Sequence, residues 1–154
     1  MKRFLLIFSV SLFWMSSLAV AHETVTYVDL VRYAWQDHYA SERYKTKLPH
    51  IERTVLKTNF FVSNLLKKNN AFVHPMREWH SGSYYVTSVL LRNKKFYPIA
   101  IDVKHELFGR WKAAVLYPRS HLKPYGNKNS DSTLLFLVSS QPFNTILSTC
   151  HGHA

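Results

Sequence analysis

The residues best suited to metal chemistry stand at the two ends of the chain. Cys150-His151-Gly152-His153 offers a thiolate and two imidazoles on a short tail, a composition that can catch copper or zinc. His22 offers a second device. Cleavage after Ala21 would make it the N-terminal residue, and its α-amino group and imidazole would then chelate copper together, with a further histidine completing the site. His22, Cys150, His151 and His153 thus define one reading, a small periplasmic copper-binding protein. Against it, geometry and not ligand count makes a metal site, and His22 leads into Glu23-Thr24-Val25 with no matching pattern downstream. The remaining histidines, His38, His50, His74, His80, His105 and His121, read as solvated side chains in or beside loops.

Other chemistry is sparser. The single cysteine excludes an intramolecular disulfide and any multi-cysteine zinc or iron–sulfur site. No nucleophile elbow, metal signature or glycine-shaped pair of acids occurs. The nine acidic residues are scattered; Asp102 and Glu106, the nearest pair in the C-terminal half, read as salt-bridge partners of Lys104 or Arg110. The sequence therefore predicts a protein without enzymatic activity and without a cofactor. Aromatic residues make up 15% of the chain, and many fall in or next to expected strands: Trp79, Tyr84, Tyr85, Phe96, Tyr97, Trp111, Tyr117, Phe136 and Phe143. Strand alternation sends Tyr84, Val86 and Ser88 to one face and Tyr85, Thr87 and Val89 to the other, so both faces are partly apolar. That pattern suits a strand covered on two sides, or one whose second face packs on a neighbouring protein. It argues against a stacking surface for single-stranded nucleic acid, which needs its aromatics on one face beside the basic residues.

The elements that must position these side chains follow from period and punctuation. Residues 1–21 read as a cleaved signal peptide, with an uncleaved inner-membrane anchor as the competing reading: Lys2 and Arg3, an apolar run from Phe4 to Leu18, and the small-x-small end Ala19-Val20-Ala21. The formal net charge of +11 falls to +9 once Lys2 and Arg3 leave with that segment, a surplus that favours acidic or anionic partners without choosing among them. Residues 22–154 are expected to form one domain. Apolar positions at three- and four-residue intervals predict an amphipathic helix over 27–40, capped by Thr26 or Thr24, with Asp29 favourably placed in its first turn. A basic linker spans 41–50. From about 53 to 147 the period becomes two. Candidate strands are Thr54–Val62, Ala71–Val73 before a break at His74-Pro75, Ser83–Leu91, Phe96–Val103 as an edge strand broken by Pro98, Trp111–Tyr117 and Thr133–Ser139. Lys123–Asp131 is a loop by composition, and 148–154 a flexible tail. Short strands without alternating helices predict a mainly β fold, an antiparallel sandwich or barrel-like domain with one N-terminal amphipathic helix.

Three stretches, taken in order, carry a family resemblance. They are Trp79-His80-Ser81-Gly82-Ser83-Tyr84-Tyr85-Val86-Thr87-Ser88-Val89-Leu90-Leu91-Arg92-Asn93, Leu107-Phe108-Gly109-Arg110-Trp111-Lys112-Ala113-Ala114, and Leu137-Val138-Ser139-Ser140-Gln141-Pro142-Phe143. Together they resemble the C-terminal half of integrating conjugative element proteins related to the TraK-type component of type IV secretion. The helix around Leu30-Val31-Arg32-Tyr33-Ala34, with Tyr39 and Arg43 after it, is similar to the segment preceding that half. The resemblance implies a periplasmic structural subunit of a conjugation channel, assembling with an outer-membrane lipoprotein and other channel subunits and able to form a ring of its own copies. Family members carry a further N-terminal β-domain, whereas here the signal segment leads almost directly to the helix, and Ser83 stands where the family has a second glycine. The matched motifs are structural: Gly82 and Gly109 are expected to permit turns, and Trp79 and Trp111 to be core residues. Tyr84, Tyr85 and Phe143 join them as candidates for core or interface.

Overall fold

The computed structural model describes residues 25–45, 48, 50–57 and 60–149. The expected signal segment 1–21 and the candidate ligands His22, Cys150, His151 and His153 lie outside the described residues.

The first described element is helix α1 (Tyr27–Tyr39). Thr26 caps it, and its capping box is closed by Asp29, whose carboxylate also accepts from the Thr26 backbone N–H. Leu30 and Ala34 form the buried stripe. Seven strands follow: β1 (Glu52–Val55), β2 (Ala71–Ser81), β3 (Tyr84–Asn93), β4 (Ile99–Ala100), β5 (Ala113–Tyr117), β6 (His121–Leu122) and β7 (Ser132–Ser139). Two short helices, α2 (Val103–Glu106) and α3 (Phe143–Thr149), and two 3-10 turns, Glu42–Tyr44 and Phe60–Asn64, complete the elements among the described residues. Five strands make one antiparallel sheet in the order β1-β2-β3-β7-β5, and β4 pairs with β6 in a separate ribbon. The fold is thus mainly antiparallel β with an N-terminal amphipathic helix, and the sheet does not close into a barrel.

Both faces of the central strands are covered, as their alternation requires. On one face Val86, Leu134, Phe136 and Val138 pack with Trp79 against Leu30 and Ala34 of α1. On the other, Val89, Leu91, Leu135 and Leu137 meet Val62, Leu65 and Leu66, the β4–β6 ribbon through Ile99 and Leu122, and Phe143 and Leu147 of α3. The hairpin between β2 and β3 turns at Gly82, whose φ of +58° is the position a type II′ turn reserves for glycine.

Four sequence expectations are corrected. The strand expected to stop at His74-Pro75 continues to Ser81, because Pro75 sits where the register slips by one residue and a bulge tolerates its missing N–H. Thr54–Val62 is not one strand: β1 ends at Val55, and a 3-10 turn occupies Phe60–Asn64. Phe96–Val103 yields only two strand residues, paired with β6 outside the main sheet; Asn93 draws the Tyr97 carbonyl into a side-chain hydrogen bond, and Asp102 begins α2. Finally, α3 runs through Ser148 and Thr149, residues read as tail. It starts directly after Pro142, whose carbonyl accepts the first helical bonds from Thr145 and Ile146.

Candidate functional site

Three of the site residues expected from sequence, Gly109, Trp111 and Phe143, meet at the approach to β5, one of the two outer strands of the main sheet. The chain reaches it through α2, which Asp102 caps by accepting from the Lys104 and His105 backbone N–H groups. The turn after α2 is stitched to the segment beneath it: the Lys67 N–H donates to the Glu106 carbonyl and the Phe108 N–H to the Leu65 carbonyl, each at 2.8 Å. Gly109 then takes φ +101°, and a Cβ there would stand 2.9 Å from Ile146 Cγ2 and 3.0 Å from Trp111 Nε1. Glycine is required on both counts, backbone and space. This tight passage delivers Trp111. Its indole N–H donates to the Phe108 carbonyl at 2.7 Å, and its ring lies 5.9 Å from that of Phe143.

Beyond Trp111, β5 pairs with β7 along one side, and among the described residues no strand pairs with its other side. Its first residues, Ala113 and Ala114, are too small to fill the space beside Trp111. A groove of about 250 Å³ results, lined by Val103, Lys104, Leu107, Gly109, Trp111, Ala113 and Ala114. That volume lies below the ~300–1,000 Å³ of small-molecule and cofactor sites, and it is the size of one or two side chains. Lys104, Arg110 and Lys112 are exposed around it, and Val115 and Tyr117 stand exposed along the strand. An open strand edge, an apolar notch beside it and a basic rim can do one thing well: accept an extended segment of another chain, one of whose side chains fills the notch.

The other expected site residues divide by position. Trp79 is fully buried, as is Phe143. Trp111 is only half-buried, so it is a wall of the groove as well as a core contact. Tyr84 and Tyr85 are half-buried on opposite faces; Tyr84 meets Tyr27 edge-on with the Lys112 ammonium over its ring, and Tyr85 stacks on His80 at 4.2 Å. Gly82 turns the β2–β3 hairpin two residues before Tyr84, and its carbonyl meets the His80 ring at 2.8 Å.

Two of the buried carboxylates, Glu78 and Asp37, tie distant elements together and carry no sign of it in the sequence. Glu78 on β2 accepts from the Phe143 backbone N–H at 2.7 Å and from the Thr87 hydroxyl at 3.2 Å, so it holds the start of α3 against the sheet. Burial pushes its carboxyl up from the ordinary range, and those two bonds offset the rise only in part. Asp37 in α1 is surrounded by Lys45, Arg53 and Arg77 at 3.0–3.2 Å. Burial alone would raise its carboxyl, but the hydrogen bonds and charges of Lys45 and Arg53 outweigh it and hold Asp37 below its usual value. This cluster ties α1 to β1 and β2.

Two side-chain readings change. His38 is not a solvated loop residue: it lies in α1 with its ring against Trp79 and Phe136, and burial lowers its pKa. Asp102 and Glu106 pair with His105 and Lys68, not with Lys104 or Arg110. Among the described residues no three His, Cys, Asp or Glu side chains lie close enough together to hold a metal ion, and no helix is long and apolar enough to cross a membrane.

The fold and groove describe an antiparallel β domain with one outer strand open beside a side-chain-sized notch. By sequence the chain belongs to the family described as "Protein of unknown function (DUF3438)", whose model matches residues 15–152. Neither the curated proteins nor the solved structures gave a match.

Proposed function

We propose that the chain is a non-enzymatic structural subunit of a conjugative type IV secretion apparatus of an integrating conjugative element. In this reading it is exported to the periplasm and assembles there with other channel subunits, including an outer-membrane lipoprotein, and with further copies of itself. The observation that carries the structural role is the β5 edge. An outer strand of Ala-Ala-Val-Leu-Tyr beside a notch walled by Trp111 is a surface that soluble monomers normally protect with charge or cover. The likeness of the ordered strand motifs between Trp79 and Phe143 to TraK-related proteins supports the choice of apparatus. The basic rim favours an acidic segment on the partner.

The test is affinity purification of the chain from its native envelope, with mass spectrometry of what accompanies it. The proposal expects a lipoprotein and other conjugation channel subunits in the eluate. Recovery of the chain alone, as a free soluble protein, would overturn it.

A further inference from the structure

A second surface lies at the end of the main sheet where β2 begins and β3 ends. The chain leaves β3 through Lys94-Lys95-Phe96-Tyr97-Pro98, and at the tip Phe96 is 87% exposed, more than any other large apolar residue among those described. Tyr97 beside it is 60% exposed.

This tip is not loosely attached. The fully buried Asn93 donates from Nδ2 to the Tyr97 carbonyl at 2.8 Å and to the Lys123 carbonyl at 2.9 Å, while its Oδ1 accepts from the Lys95 N–H at 2.8 Å. The Tyr125 N–H adds a bond to the Lys95 carbonyl at 2.9 Å. The loop is therefore built to hold two aromatic rings out into solvent, where covering either would be favourable.

The charge around the tip is one-sided. Between 92 and 98 and between 122 and 131 stand Arg92, Lys94, Lys95, Lys123 and Lys128 against a single acid, Asp131, which is buried and bound to Arg92 at 2.8 Å. The neighbouring rings suit base stacking poorly. Tyr125 has the Arg92 guanidinium 4.7 Å over its face and meets Phe72 edge-on at 61°. A stacking platform needs open ring faces in a row. Aromatic rings on a projecting tip, with ammonium groups around its base, match instead the layered chemistry of a membrane interface: rings sit at headgroup depth and lysines reach lipid phosphates.

We propose that the Phe96–Tyr97 tip inserts into the interface of a bilayer carrying anionic headgroups, with Lys95 and Lys123 holding the phosphates. This goes beyond the structural role proposed above and does not rest on it.

The test places a reporter at the tip of the full chain. Phe96→Trp is mixed with vesicles of phosphatidylglycerol and brominated phosphatidylcholine, and its fluorescence is compared with that of the unsubstituted chain and of Val115→Trp on β5. All three share the same N-terminal segment, so the extra quenching reports position 96 alone. The expected result is added quenching for Phe96→Trp only, absent on purely zwitterionic vesicles. Lys95→Gln or Lys123→Gln in that background should each weaken vesicle binding about fivefold, the effect of one lysine at an anionic surface. Quenching of Phe96→Trp no greater than in the unsubstituted chain would overturn the proposal, as would equal quenching on zwitterionic vesicles. A single-stranded oligonucleotide or polyglutamate that changes its emission while vesicles do not would also overturn it, and would assign this end to nucleic acid or to an acidic protein.

Discussion

The two outer strands of the sheet are treated in opposite ways. β1 is four residues long, exposed throughout, and carries Glu52 and Arg53; Arg53 reaches back to Asp37 and Glu52 lies 3.7 Å from His80. Charge and shortness are what keep an edge from pairing with another chain. β5 carries Ala-Ala-Val-Leu-Tyr, with no charge within the strand and a notch beside it. Each edge also has its tryptophan. Trp79 is paired in register with Arg53 and buried completely, whereas Trp111, at the start of β5, is half-buried on the groove wall. One edge is closed by its own residues, and the other keeps an uncharged strand beside the notch.

Truncating the two tryptophans separates these roles most strongly. Trp79→Ala should destabilise the fold by about 3–5 kcal/mol in urea unfolding, the usual cost of emptying a core aromatic. Trp111→Ala should cost less, about 1–2 kcal/mol, because part of its ring already faces solvent. It should nevertheless lose recovery of channel partners while remaining folded. Equal destabilisation by both would make Trp111 a core residue and remove the contrast.

Between these falls Asp37→Asn, which unfastens the closed edge. It leaves Lys45, Arg53 and Arg77 without their shared carboxylate and should cost about 1–3 kcal/mol at neutral pH. The pH dependence has a definite sign. Because the folded Asp37 carboxyl titrates below its unfolded value, its contribution is complete above the unfolded value and is lost as pH falls through the folded one. The substituted chain should lack that acid-side loss. Glu78 has the reverse sign. Its folded value is raised, so the fold binds the proton more tightly than the unfolded chain does, and stability declines as pH rises from the ordinary carboxylate range through the folded value. Glu78→Gln should flatten that decline, read from unfolding midpoints across pH.

The legible parts of this molecule were those with local signals. The period of α1, its Thr26 cap and the β3 strand could be read directly, since each depends on residues three or four apart or on simple alternation. The strand through Pro75 could not, because a bulge is defined by the partner strand and leaves no mark of its own. α3 was hidden because its first N–H is satisfied by Glu78, 65 residues away in sequence. The groove was half visible: Gly109 and Trp111 stand together in the chain, but Val103 and Leu107 join them only through the packing of α2, and the room exists only because Ala113 and Ala114 are small. Asp37 looked like one more polar position in an amphipathic helix, and its three cations come from the linker and two different strands.

The smallest expected effect on folding gives the sharpest test of the β5 edge as the partner surface. Val115→Lys on β5 and Val55→Lys on β1 change matched, exposed positions on the two edges, and each should alter stability by no more than about 0.5 kcal/mol. Both chains are then recovered from the native envelope alongside the unsubstituted one and their partners quantified. Val115→Lys is expected to lose the channel subunits and Val55→Lys to keep them. Partner recovery unchanged by Val115→Lys, or lost equally from both, would contradict it.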